Sequence, residues 1–374
     1  LDERSIQSAW AHLAMDIDAR LSVHDPQGVI AEAQEYEAAG YTGYFSAEAA
    51  HDPYLPLALA AAHTDRIQLG TAIAVAFARS PMQMAYVAHE LQACCRGRFI
   101  LGLGSQVKAH IERRYDMPWS RPAARMREYV RAIKAIWSCW DTGESLDFRG
   151  DFYSHTLMTP FFAPPPNPTA PQIFVAAVGE YMTAIAGEVA DGVLTHGLST
   201  ARYLCDVTLP ALNHGLRVAG RKRDDIAVSY LGFVATGRNE EEMAAACQGV
   251  RRRIGFYAST PAYRGVLAVH GWEDLHTELA ALARSGRDDR WARMGDCIDH
   301  EVLHTFAVVA EPQQVADEIW RRFGGLVDRF SFYTPYSSDF KMWIPIVAEL
   351  RQRSRVPSKV PAAIDDGGGE KGWS

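Results

Sequence analysis

The chain has 374 residues, enough for two ordinary domains or one large α/β domain with a sizeable core. With 48% apolar and 22% charged residues its composition is globular, and a formal charge of −7 without a basic block argues against a nucleic-acid partner. The longest apolar stretch, near Leu55–Ala62, is too short to cross a bilayer, and the opening LDERSIQSAW has no apolar signal core.

The predicted elements alternate. A strand is expected within Leu13–Leu21 (LAMDIDARL), then a helix over Pro26–Ala39 with Pro in its first turn and Gly40 as its stop. A strand over Tyr41–Ser46 leads through the loop AEAAHD to a helix over Pro53–His63. A third strand reads RIQLGTAIAVA, and Ser80-Pro81 opens a third helix that ends before Gly97. The fourth strand, Phe99–Leu103, runs into Gly102 and Gly104 and then into a polar loop holding Ser105, Gln106, His110, Arg113 and Arg114. An amphipathic helix over Ala123–Trp140 follows, with Met126, Tyr129, Val130, Ile133, Ile136 and Trp137 on one face.

Residues 143–171 break the rhythm with a short β excursion, SLDFRGDFYSH, and a proline-rich connector. Alternation resumes with strands at Gln172–Val178 and Gly192–Thr195, separated by a helix over Glu180–Ala190. A helix over Thr200–Ala219, a strand over Ile226–Thr236 and a helix from Asn239 come next. Residues 257–304 read as irregular. Pro312–Phe323 is expected as a helix, Asp328–Tyr333 as the eighth strand and Asp339–Arg351 as the last helix. Eight strands each followed by a helix predict a (β/α)8 TIM barrel, a single domain over 1–355 with insertions at 143–171 and 257–304, after strands 4 and 7. The tail, 356–374, is poor in apolar residues and is expected to be disordered.

In such a barrel the active site lies at the C-terminal ends of the strands. The second strand ends beside Glu48, His51 and Asp52. Glu48 is a candidate general acid or base, or the partner of a nearby arginine; His51 is a candidate proton shuttle, or a helix cap. Small residues at Gly70, Thr71, Ala72 and Ala74 allow a flat ligand to approach the third strand, or serve tight packing. Gly102 and Gly104 are expected to bring backbone close to a ligand, with Ser105, Gln106 and His110 as polar contacts and Arg113 and Arg114 as partners of carboxylates. The loop at Ala177, Val178 and Gly179 opens a helix whose free amides suit an anion, and Thr195, His196 and Gly197 follow the next strand. Aromatics of SFYTPY in the eighth strand either close over a bound ring or pack the barrel end.

Other patterns are weaker. Cys297, His300 and His304 have metal-like spacing only if helical, and a solvated helix is the better reading, so no metal is expected. GLGS is not GxGxxG, His89-Glu90 lacks the second histidine of HExxH, and GxSxG is absent. Six cysteines without CxxC or framework spacing read as reduced thiols of a cytoplasmic protein.

Four stretches, TDRIQLGTAIAVAFARSP, GRFILGLGSQVKAHIERRYDMPW, FVAAVGEYMTAIAGEVADGVLTHG and RFSFYTP, together resemble the luciferase-like flavin-dependent superfamily, in particular its coenzyme F420-dependent oxidoreductase branch. The resemblance implies a barrel, often a homodimer, that holds a deazaflavin or flavin at the strand C-termini and acts on a small molecule. It implies a bulge behind the ring at Thr71–Ala74, with a non-prolyl cis peptide at Ala72–Ile73. It also implies a cofactor phosphate on Ala177, Val178 and Gly179 and on Thr195, His196 and Gly197. Many relatives carry a Glu-His pair after the second strand, but here Glu48 is followed by Ala49. His51 or His110 takes the proton-transfer role, or neither does. Three functions follow: an F420-dependent oxidoreductase, an FMN-dependent monooxygenase using O2, or a binding protein without catalysis.

Overall fold

The computed structural model describes residues 15–23 and 25–353. The first two residues of the expected opening strand and the tail beyond 355 lie outside the described residues. The barrel strands are β1 (Asp16–Arg20), β2 (Gly43–Ser46), β3 (Gln68–Thr71), β4 (Phe99–Gly104), β5 (Gln172–Ala177), β6 (Gly192–Thr195), β7 (Ala227–Ala235) and β8 (Arg329–Tyr333). All neighbours pair in parallel, and β8 closes on β1 with Arg329 opposite Asp16 and Ser331 opposite Asp18. The barrel is therefore the expected closed (β/α)8 form.

Apart from the one expected from Thr200, the helices on its outside begin within four residues of the positions the sequence signals give. In α1 (Pro26–Ala38), Asp25 accepts the Gly28 amide at 2.7 Å; α2 is Leu55–His63. In α3 (Pro81–Cys94), Ser80 and Gln83 form a reciprocal capping box. Next come α4 (Pro122–Thr142), α5 (Glu180–Val189), α6 (Leu209–Val218), α7 (Glu240–Ala258), α8 (Val315–Phe323) and α9 (Trp343–Arg353). The expected helix from Thr200 contains a widened turn at Leu204–Thr208 before α6. Pro210 has no N–H to offer the preceding turn, and a wider turn accommodates that gap.

The region from 257 departs further from expectation. It is helical, with α7 continuing to Ala258 and helices at Arg264–Ala268, Glu273–Arg284, Arg290–Asp296 and His300–Phe306. These build a second core around Val250, Ile254, Leu267, Leu279, Met294 and Phe306. Most span only one or two turns, too short for a 3.6-residue period to emerge from sequence. A further short strand, Ala307–Val309, pairs with Phe233–Ala235 of β7. His300 and His304 stack on each other at 4.0 Å, while the Cys297 thiol donates to Glu278 at 3.5 Å.

Alternation fixes what points into the barrel. Ile17 and Ala19 of β1 face the helices, so Asp16, Asp18 and Arg20 face inward. Phe45, Ile100 and Phe174 fill the middle of the interior. Below them Arg329 grips Asp18 through Nε (2.9 Å) and Nη2 (2.6 Å). A Cβ at Gly43 would fall 2.4 Å from Asp18 Oδ1, so this bidentate pair needs glycine on the neighbouring strand. The cleft of about 910 Å³ on this N-terminal face is lined by ion pairs already made, such as Arg223–Asp328 and Lys134–Asp191. These pairs hold the barrel floor together.

The 143–171 insertion is a hairpin of Phe148–Arg149 against Ser154–His155, tied down by Glu128 of α4. That carboxylate accepts from the amides of Asp151, Phe152 and Tyr153 at 2.9, 2.7 and 2.6 Å. Glu128→Ala is expected to cost about 1.5–3 kcal/mol, the range for hydrogen bonds to a charged acceptor. Hydrogen exchange checks it: amides 151–153 should lose protection while the β1–β8 ladder keeps its own.

Candidate active site

At the C-terminal mouth, β3 stops at Thr71 and resumes as the pair Ala74–Val75 beside β4. The Ala72–Ile73 peptide between them is cis, at the bond the sequence resemblance singled out. The bulge is held from both sides. Ala72 N donates to Ser46 O at 2.7 Å, and Glu48 N donates to Ile73 O at 2.9 Å. The Glu48 carboxylate, 8% exposed, accepts from Val75 N (2.7 Å), Arg79 Nη1 (2.7 Å) and Tyr115 OH (3.0 Å). Glu48 is therefore engaged as an arginine-paired clasp, the structural one of its two readings.

The two glycines of β4 serve the same bulge. A Cβ at Gly102 would sit 1.7 Å from Thr71 O, and one at Gly104 would meet the Ile73 side chain at 2.7 Å. Both residues are buried, and the Thr71 hydroxyl bonds Gly102 O and N at 2.7 and 2.9 Å. Contrary to expectation, these glycines admit the broken strand and not a ligand. The following loop folds back over it: Arg114 donates to Ala49 O at 2.5 Å, a carbonyl where a carboxylate was expected. Ser105 and Gln106 are half-buried and bond locally, Ser105 Oγ to Gln106 O and Val107 N to Gln106 Oε1. His110, on a short helix over Lys108–Arg113, is exposed, and so is His51. Neither histidine is among the half-buried groups that line the mouth.

Those lining groups sit at inward-facing strand ends. Arg20, Ala72, Ala176, His196, Leu231 and Tyr333 are all half-buried, whereas the layer beneath them is buried. Arg20 Nη2 donates to Ala72 O of the cis peptide at 3.3 Å. His196 stacks on Tyr263 and meets the edge of Tyr257, each at 4.5 Å between centroids. Tyr257 and Tyr333 share a hydroxyl–hydroxyl bond of 2.7 Å, and Tyr333 lies flat on Phe233 at 4.7 Å. A Cβ at Gly197 would press 2.8 Å from that tyrosine ring, so this loop glycine serves ring packing. Of the other SFYTPY aromatics, Phe332 packs outward on Trp343, and the Tyr336 hydroxyl accepts from Thr236 N.

His196 Nδ1 accepts the Leu198 amide at 3.0 Å, which places the ring proton of the neutral form on Nε2. Burial, helped by the charge of Arg20, lowers its pKa from 6.5 to about 4. Since the folded value lies below the unfolded one, the unfolded chain binds more protons between pH 6.5 and 4. Stability from this group is therefore complete above pH 6.5 and falls as pH drops toward 4, by about 3 kcal/mol. His196→Gln should flatten that limb of a stability-versus-pH curve from urea unfolding; an unchanged curve would contradict it.

The proposed anion loops are unequal. Thr195 Oγ1 is committed to Ser229 O at 3.1 Å, Ala177 is buried, and Val178 O accepts from Tyr203 OH at 3.1 Å. Gly179 alone is open: it caps α5 and is exposed, and a Cβ added there would meet no atom within 4 Å. Glycine at the N-cap leaves the first amides of α5 without a side-chain cap, which suits a phosphate. Sequence reasoning missed Arg20, Arg79, Tyr115, Tyr257 and Tyr263. Arg20 had a signal, the charged–apolar alternation of DIDAR; Tyr257 and Tyr263 lie in the region read as irregular and had none.

Fold and mouth together define a (β/α)8 protein with a bulged third strand and a candidate site at the strand C-termini. A family model described as luciferase-like monooxygenase matches residues 8–329, and the chain belongs to that family. An uncharacterized protein of Mycobacterium tuberculosis is 53% identical over 291 residues, 78% of this chain and 85% of its own length. A putative coenzyme F420-dependent oxidoreductase of the same organism is 27% identical over 307 residues, 77% of this chain and 86% of its own. The solved coenzyme F420-dependent tetrahydromethanopterin reductase of Methanopyrus kandleri superposes with a TM-score of 0.72 at 20% identity, over 91% of this chain and 98% of that one. The last likeness speaks to fold.

Proposed function

We propose that this chain is an F420-dependent oxidoreductase acting on a small organic molecule. The observation that carries the reading is the bulged, small-residue wall at Thr71, Ala72 and Ile73, facing a mouth lined with hydrogen-bond donors, in a family with F420-dependent relatives. The residues fit a flat tricyclic ring ending in a phosphate. Ala72 and Ile73 would back the ring, Ser105 and Gln106 would edge it, and Val178, Gly179 and the α5 amides would hold the phosphate beside His196 and Gly197. When bound, the deazaflavin supplies hydride transfer at its C5 carbon. The protein orients the substrate and excludes water. With Glu48 committed to the bulge, the proton-bearing groups of the mouth are the Tyr257–Tyr333 hydroxyls and His196 Nε2.

The family's monooxygenase description supports a second reading, in which the ring is FMN and the oxidant O2. Absorbance titration of the protein with F420 and with FMN separates them. The expected result is F420 binding at least tenfold tighter than FMN, with reduced F420 oxidised by a carbonyl or activated-alkene substrate. Tighter FMN binding with O2 uptake in the presence of reduced FMN would replace the proposal by the monooxygenase. Tight binding without turnover of any substrate class would leave a cofactor carrier.

A further inference from the structure

Two arginines flank the tyrosine pair. Arg20 approaches from β1, and the guanidinium of Arg253, on α7, lies 5.9 Å from the ring centroids of both Tyr257 and Tyr333. Among the described residues, neither arginine has a carboxylate within ion-pair distance. Arg20 has five N–H donors, of which the Ala72 carbonyl takes one. In the tyrosine pair one hydroxyl donates to the other, which leaves one O–H over, and His196 adds its Nε2–H. The corner thus holds cations and donors with no anion to balance them, in a chain of net charge −7. The nearby carboxylate of the bulge, Glu48, is already paired with Arg79. A desolvated cation left unpaired is costly, so the retention of Arg20 at the inward end of β1, with the exposed Arg253 beside the same tyrosines, marks a place where a ligand brings the counter-charge.

We propose that Arg20, Arg253 and the Tyr257–Tyr333 hydroxyls form a subsite for an oxyanion, a carboxylate or its like, carried by the substrate. The inference rests on reading the mouth as a cofactor-and-substrate site. The cofactor also carries an oxyanion, its phosphate. That group is assigned to the open amides at Gly179 on the β5 side, whereas Arg253 and Tyr257 come from α7, beyond β7; His196, in edge contact with Tyr257, stands between the two places. The subsite makes the enzyme selective for acids over the matching amides or alcohols.

The test uses the full chain and a matched pair of probes, benzoate and benzamide, titrated calorimetrically with and without saturating F420. Benzoate is expected to bind at least tenfold more tightly than benzamide. Arg253→Gln and Arg20→Met should each remove most of that preference, while F420 affinity in Arg253→Gln stays within twofold of the unsubstituted chain. Arg253 is exposed, so its variant is expected to fold even if the Arg20 variant does not. Equal binding of the two probes, or no binding of either, overturns the proposal. So does a loss in Arg253→Gln of F420 affinity that is absent for the deazaflavin riboside lacking the phosphate, because the oxyanion would then be the cofactor's. Failure of F420 and FMN to bind would instead strike the cofactor reading, since the cofactor-free titration reports on the subsite alone.

Discussion

Glu48→Ala is expected to lower the unfolding free energy by about 3 kcal/mol and to weaken F420 binding at least tenfold. The carboxylate is the one acceptor for three donors drawn from three segments: Val75 N beyond the bulge, Arg79 Nη1 and Tyr115 OH. Its removal strands a half-buried guanidinium and a buried amide, and breaking such a pair costs about 3–5 kcal/mol when both partners are buried. Arg79 retains 23% exposure and a second, longer contact to Asp52 at 3.5 Å, which sets the expectation at the low end. Glu48→Gln should do about half the damage, because an amide oxygen can still accept from Val75 N but cannot balance Arg79. Urea unfolding gives the stability, and absorbance titration gives the affinity. If Glu48→Ala lost stability but kept full F420 affinity, the bulge would not be the wall behind the ring.

The fold was legible because most of its punctuation is local. Pro26, Ser80-Pro81 and Gly40 mark helix ends by chemistry that acts within four residues, and each is found in that role. The position of the cis bond came from resemblance; nothing in the residues Ala72 and Ile73 themselves would announce it. The roles of Gly102 and Gly104 were misread for a related reason. Glycine at a strand end signals close approach, but sequence does not say of what, and here the approaching atoms belong to Thr71 and Ile73. The mouth was legible only in part. His196 was singled out, yet its environment depends on Tyr257 and Tyr263, which arrive from residues sixty or more positions away. Such pairings carry no periodicity and no spacing rule, so only the folded chain brings them together.

The barrel interior holds two arginines whose substitution should have opposite effects. Arg329, at the floor, is 5% exposed and gripped by Asp18, whose side chain is fully buried; Arg20, at the mouth, donates to a backbone carbonyl and has no ion-pair partner among the described residues. Asp18→Ala leaves Arg329 with the half-exposed Asp16 at 3.2 Å and with Gln68 at 2.7 Å. A loss of about 3 kcal/mol is expected, again at the low end of the buried-pair range. Ligand affinity should be unchanged, because Phe45, Ile100 and Phe174 separate the floor from the mouth. Arg20→Met exchanges an unpaired cation for an apolar chain of similar length. Its stability should equal or exceed that of the unsubstituted protein, as happens where a site keeps a group for binding and not for folding. Urea unfolding of the two variants side by side decides the matter. A loss from Arg20→Met as large as that from Asp18→Ala would make Arg20 a second structural post. The free charge at the mouth would then answer to the barrel rather than to a ligand.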